Sequence, residues 1–194
     1  MFKSRGQTGE LDDLADRIAG HYDKVWDRSG MRCTFEKGPI DDLGSTFQIR
    51  KYPPTADRNM WTFVTCGMSR AYDATPVGLH IFSPVDSPEI VELLVVTVHF
   101  HRTSEPLDLW HTVNFGRPWL QGSTCSHGLV SLPYLDGPAL ENLPFQNKSI
   151  KFYWLIPISN AEVQYTVELG IDALKTAFDV AGVNYFDVMR TSVM

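Results

Sequence analysis

The run Ile150-Lys151-Phe152-Tyr153-Trp154-Leu155-Ile156-Pro157-Ile158, followed at once by Ser159-Asn160-Ala161-Glu162, constrains this chain more than any other stretch. Aromatic and β-branched residues bounded by turn residues read as a buried strand. Ser followed three positions later by Glu is the capping box that opens a helix. The chain therefore leaves a central strand straight into a helix. That helix is predicted to run through Val163, Val167, Ile171, Leu174 and Phe178 and to end at Gly182. An earlier amphipathic helix is predicted over 10–28, ending near Gly30. Leu11, Leu14, Ile18, Tyr22, Val25 and Trp26 form its apolar stripe, and Asp12, Asp13, Asp16, Arg17 and Asp23 its other face.

Between these helices lie shorter strand signals. Phe47, Ile49 and Lys51 alternate up to Pro53-Pro54, and Trp61-Thr62-Phe63-Val64-Thr65-Cys66 ends at Gly67, where a positive φ is expected. Further strands are read at 77–82, 112–115 and 129–132, punctuated by Gly and Pro as in an antiparallel meander. Asp86-Ser87-Pro88-Glu89 has helix-entry chemistry, with Asp86 as N-cap and Pro88 in the first turn, so 88–101 is predicted to be a helix. The Val-rich 90–101 would serve equally as a buried strand. Strands and helices do not alternate in the manner of a parallel α/β sheet. The expected fold class is α+β: a single domain with a mixed, largely antiparallel sheet flanked by two or three helices, spanning 10–194 behind a flexible segment over 1–9.

Composition bounds the function. Hydrophobic residues make up 43% and charged residues 21% of 194, an ordinary globular balance. Seventeen basic against 23 acidic side chains leave −6, with Lys and Arg scattered, which argues against a nucleic-acid partner. The start is polar, without the apolar stretch of a signal peptide, and no apolar run reaches membrane-spanning length. Three Cys without CxxC spacing fit reduced thiols in a cytoplasmic protein.

Catalytic and metal-binding patterns are thin. His99 and His101 share a face on a strand, but lie about 200° apart on a helix, where they cannot join one metal. Cys125-x-His127, beside Ser123 and Gly122, holds pieces of a nucleophile site, yet no G-x-S-x-G elbow or orienting carboxylate accompanies them. No phosphate-binding glycine motif occurs. The aromatic residues Trp110, Phe115, Trp119, Tyr134, Phe152 and Trp154 serve either core packing or an interface. No metal or cofactor is expected.

At Trp61-Thr62-Phe63-Val64-Thr65-Cys66-Gly67-Met68-Ser69 the chain resembles the suppressor of fused (SUFU) domain family. The likeness continues at Glu92-Leu93-Leu94 and through His111-Thr112-Val113-Asn114-Phe115-Gly116-Arg117-Pro118-Trp119. Gly122-Ser123, His127-Gly128-Leu129, Pro133-Tyr134 and 152–159, with Glu162 and Gly170, complete it in order. The resemblance, to the bacterial single-domain form, implies an α+β domain without catalytic activity. In the family's eukaryotic members it implies a negative regulator that holds a transcription-factor peptide, and in bacterial ones an immunity protein that neutralises a toxin.

The expectation is therefore a cytoplasmic, non-catalytic module for a protein or peptide partner, with no nucleic-acid or membrane partner. Because Gly-rich loops on a rigid sheet commonly carry binding, the loop over 116–128 with Trp119, Ser123, His127 and Tyr134 is the expected contact surface. A hydrolase-like enzyme using His111, Cys125 and His127 is the alternative.

Overall fold

The run read first is the spine of the molecule. The computed structural model describes residues 6–36, 38–39, 42–70 and 72–194, with the backbone alone over 6–13. Its elements in chain order are α1 (Gly6–Val25), β1 (Met31–Arg32), β2 (Gln48–Tyr52), β3 (Trp61–Cys66), β4 (Val77–Ser83), α2 (Pro88–Thr103), β5 (Thr112–Asn114), β6 (Cys125–Ser131), α3 (Pro138–Glu141), β7 (Asn142–Phe145), β8 (Lys148–Ser159), α4 (Asn160–Leu169) and α5 (Ile171–Ala181). Eight strands form one mixed sheet in the order β1-β2-β3-β4-β8-β6-β5, with β7 also paired to β8. The twelve residues of β8 run parallel to β4 and antiparallel to β6 and β7. The β4–β8 pair is the one parallel contact among the described strands. The expected α+β domain is the one found.

Alternation along β8 and β4 divides the core in two. Tyr153 and Leu155 of β8, with Val77, Leu79 and Ile81 of β4, pack against Ile90, Leu94 and Val98 of α2 on one face. On the other face, Leu14, Ile18 and Tyr22 of α1 cover Val64, Cys66 and Phe152. Leu174 and Phe178 of α5 cover Trp154, Ile156 and Ile158 farther along it.

Several boundaries differ from the sequence reading. The first helix begins at Gly6 and not at residue 10, so it takes up part of the segment expected to be flexible. Residues 1–5, and the side chains of Glu10, Leu11, Asp12 and Asp13, lie outside what is described. Residues 88–101 are helical, but the N-cap is Ser87, whose Oγ accepts the Glu89 N–H at 3.1 Å, and not Asp86. Asp86 instead meets Lys51 Nζ at 2.5 Å. The last long helix is two: Gly170, at φ 84°, separates α4 from α5. Apolar periodicity persists through Gly170, which hid the break. The capping box of Ser159 and Glu162 is present in full, with the Glu162 N–H donating to Ser159 Oγ (3.2 Å) and the Ser159 N–H to Glu162 Oε2 (2.8 Å).

A candidate binding cleft on the sheet face

Beside α5, on the face away from α2, a solvent-open cleft of about 520 Å³ lies over β6 and β8. Leu129, Ser131, Trp154 and Ile156 form its floor. Lys175, Phe178 and Asp179 line it from α5, Tyr185 and Phe186 from the segment after α5, and Trp110, Tyr134 and Leu135 from the loops flanking β5 and β6. The volume lies within the range of ligand-binding pockets, and most of the lining is aromatic or aliphatic. Tyr134 and Leu135 are exposed at the rim, while Trp154 is buried. Trp110 holds a left-handed backbone conformation (φ 68°), uncommon for a bulky residue, and its N–H donates to the Val130 carbonyl at 2.8 Å.

Sheet register places polar side chains on either side of Trp154. His80 of β4 stands opposite Trp154 of β8, and Ser131 of β6 stands opposite Trp154 from the other side. Beside His80 sits Asp136, in the turn after Leu135. Its Oδ1 accepts from Trp26 Nε1 (2.7 Å) and from the Arg58 guanidinium. That guanidinium lies against the rings of Trp26 (5.3 Å) and Phe82 (5.1 Å). His80 Nε2 is 3.8 Å from Asp136 Oδ2, too far for a hydrogen bond. Burial, reinforced by Arg58 and opposed by Asp136, lowers the His80 pKa to about 4, so its ring is neutral at pH 7. Trp154 Nε1, both His80 ring nitrogens, Arg58 Nη1 and Asp136 Oδ2 are buried without a hydrogen-bond partner among the described residues. Native interiors rarely leave such groups unpaired, so five in one neighbourhood set this region apart.

The residues expected to meet a partner are dispersed. Trp119 and Ser123 are buried, and Trp119 Nε1 donates to Ser123 Oγ at 3.0 Å, so they brace the turn before β6 from inside. His127 is half-buried in β6, with Nδ1 3.1 Å from Ser126 Oγ. Tyr134 is the one of the four that lines the cleft.

The hydrolase-like set does not assemble. Cys125 lies in the core on the α2 side, where burial raises its thiol pKa. The register of β6 against β8 shifts between Cys125 and His127. His111 is exposed, and its Nδ1 accepts the Asp108 N–H at 3.3 Å.

His99 and His101 diverge as a helix requires. His99 Nε2 meets Asp42 Oδ2 at 3.1 Å near the surface. His101 is buried, with Nε2 3.1 Å from Ser69 Oγ and Nδ1 accepting the Leu107 N–H at 2.9 Å. Among the described residues no three His, Cys, Asp or Glu side chains gather as a metal site. No described helix is long and apolar enough to cross a membrane.

Sequence reasoning passed over His80, Arg58, Asp136, Tyr185 and Asp179. Alternation along 150–158 was a usable signal, since it places Trp154 with Phe152 and Ile156 on one face. Nothing in local spacing joins Trp154 to His80 or Asp136 to Trp26.

Comparison with known proteins accords with this architecture. A suppressor-of-fused homologue from Neisseria gonorrhoeae superposes with a TM-score of 0.80 at 29% identity, covering 94% of this chain and 97% of that one. The suppressor of fused in the Sufu-Fu complex gives 0.67 at 14% identity, over 93% and 92% of the two chains. Drosophila Suppressor of Fused gives 0.61 at 14% identity, and there the match spans 91% of this chain and 50% of the other. These last two share the fold. In sequence, 74 residues are 31% identical to immunity protein YqcF of Bacillus subtilis (strain 168), a stretch that spans 38% of each protein. The family model for suppressor of fused protein matches residues 44–191, and the chain belongs to that family.

Proposed function

We propose that the protein is a non-catalytic binding module that acts in the cytoplasm as an immunity-type inhibitor, holding a toxin partner through the cleft beside α5. The open aromatic cleft, on a rigid sheet and rimmed by Tyr134 and Leu135, carries this reading. Aromatic residues with one wet edge are the usual anchors of protein interfaces. Family membership and the partial identity with an immunity protein support a protein partner of the toxin class. The Sufu-Fu complex is a precedent for partner binding on this fold.

An inhibitor that binds acts stoichiometrically, and an enzyme does not. The test is growth of cells that express a toxin gene neighbouring the one for this chain, with and without co-expression of the chain. Protection that saturates near one chain per toxin, with co-purification of the two proteins, is expected. Lack of protection, or protection far below equimolar amounts that Cys125→Ala or His127→Ala abolishes, would overturn the reading.

A further inference from the structure

The cleft carries more than apolar surface. Two charged side chains line it, Lys175 and Asp179. Lys175 Nζ lies over the Trp110 ring at 5.1 Å and bonds Asp172 Oδ1 at 3.2 Å, so that cation already has its counter-ion. Arg58, one layer in, is paired with Asp136. Asp179 is exposed, lines the cleft, and has no ion-pair partner among the described residues. Tyr134 and Tyr185 line the same cleft. A carboxylate beside the faces of several aromatic rings attracts a cation through charge and ring quadrupole together. Lys175 on Trp110 shows an ammonium resting against this wall. The net charge of −6 favours a basic partner at longer range. The Trp154 ring lies in the floor, so its indole reports on what enters.

We infer that the cleft takes an extended segment of the partner protein bearing a basic side chain. The cationic head lies between Asp179 and the rings of Tyr134 and Tyr185, and the apolar stem of the side chain rests over the floor. This rests on the protein-binding reading above and names the chemistry of what enters. The cleft of about 520 Å³ exceeds the volume of one side chain, so a side chain alone fills only part of the site.

The test uses the full chain and blocked tripeptides, glycyl-arginyl-glycine and glycyl-lysyl-glycine, against the leucyl and glutamyl equivalents. The readout is the indole N–H resonance of Trp154, assigned by its disappearance in Trp154→Phe. The basic tripeptides are expected to shift it saturably, salt to weaken the effect, and Asp179→Asn to weaken binding roughly three-fold. Asp179 is exposed, so that variant leaves the fold intact. Equal or tighter binding of the leucyl peptide, indifference to Asp179→Asn, or no shift with any tripeptide would overturn the inference. Free guanidinium binding as tightly as the arginyl peptide would assign the site to small cations and overturn the peptide segment. In the growth assay the two claims separate: rescue by wild type and equally by Asp179→Asn defeats the cleft chemistry alone, whereas no rescue by wild type defeats the binding reading.

Discussion

Arg190 grips Glu162 through two hydrogen bonds of 2.7 Å, Nη1 to Oε1 and Nη2 to Oε2, both groups withdrawn from water. Arg190 Nη2 also donates to the Pro157 carbonyl at 2.9 Å, and the Val193 N–H donates to Glu162 Oε1 at 3.2 Å. The segment after α5, which supplies Tyr185 and Phe186 to the cleft, is thereby fastened to the start of α4. Burial alone would raise the Glu162 pKa, but Arg190 and the Ser159 and Val193 N–H groups hold it below the ordinary range.

Removing one member of this pair strands the other. Arg190→Met should cost roughly 3–5 kcal/mol, read as a lower urea midpoint. Ser159→Ala, which removes one cap contact, should cost about 1 kcal/mol. The double variant Glu162→Gln, Arg190→Met should recover part of the Arg190→Met loss. An Arg190→Met midpoint unchanged from wild type would show that the clamp contributes nothing net.

Stability should decline on the acid side of neutrality. His21, His80 and His101 all have pKa values lowered by burial, that of His80 to about 4. The unfolded chain takes up these protons near pH 6.5 and the folded chain only lower down. Their contribution is therefore complete above about pH 6.5 and is lost as pH falls towards the folded values. Protonating His101 would also set a new Nδ1–H against the Leu107 N–H. Unfolding midpoints measured from pH 8 to pH 4 should be flat at first and then fall. His80→Phe should flatten part of the slope and leave the protein no less stable at pH 7, because neither ring nitrogen has a partner to lose.

Gly67 ends β3 at φ 78°, as its place after a β-rich strand suggested, and its carbonyl accepts from Arg102 Nη2 at 2.6 Å. A Cβ there would lie 3.4 Å from that of Ala15, an ordinary contact, so the obstacle is the backbone angle. Gly67→Val should destabilise strongly and Gly67→Asn much less, since Asn tolerates left-handed geometry. Equal midpoints for the two variants would mean that side-chain volume is the deciding term.

Trp119 and Tyr134 should part company under mutation. Trp119→Ala opens a core cavity and should cost about 3–5 kcal/mol. Tyr134→Ser changes an exposed rim residue and should move stability by no more than about 0.5 kcal/mol, while weakening partner capture. Thermal melts beside the growth assay check both halves. Undiminished protection by Tyr134→Ser would remove that side chain from the contact surface.

What could be read in advance follows physical range. The strand over 150–158 and its capping box announce themselves within a few residues, because β-branched packing and cap hydrogen bonds are local. Cap chemistry also decided correctly for a helix at 88–101, although it pointed to the wrong oxygen. The two-residue β1 and the four-residue α3 and β7 are too short for any periodicity to develop. Trp119 was read as a contact residue because its loop is glycine-rich, and composition does not reveal which way an indole turns. The cleft was illegible for another reason. Its floor joins β6 to β8, and the buried polar groups beside it depend on β4 and β8 lying parallel, which brings His80 next to Trp154 across a long stretch of chain.

That parallel pairing also orders events in time. Val77 to His80 find their partners only at Lys151 to Trp154, after α2, β5, β6, α3 and β7 have been made. On the ribosome, the meander of β1 to β4 emerges with one side of β4 uncovered and waits for the spine. Closing so distant a contact is slow compared with forming a hairpin, and an unpaired strand edge is prone to aggregation in the interval. Synthesis of this protein thus includes a vulnerable period that ends when β8 slots between β4 and β6.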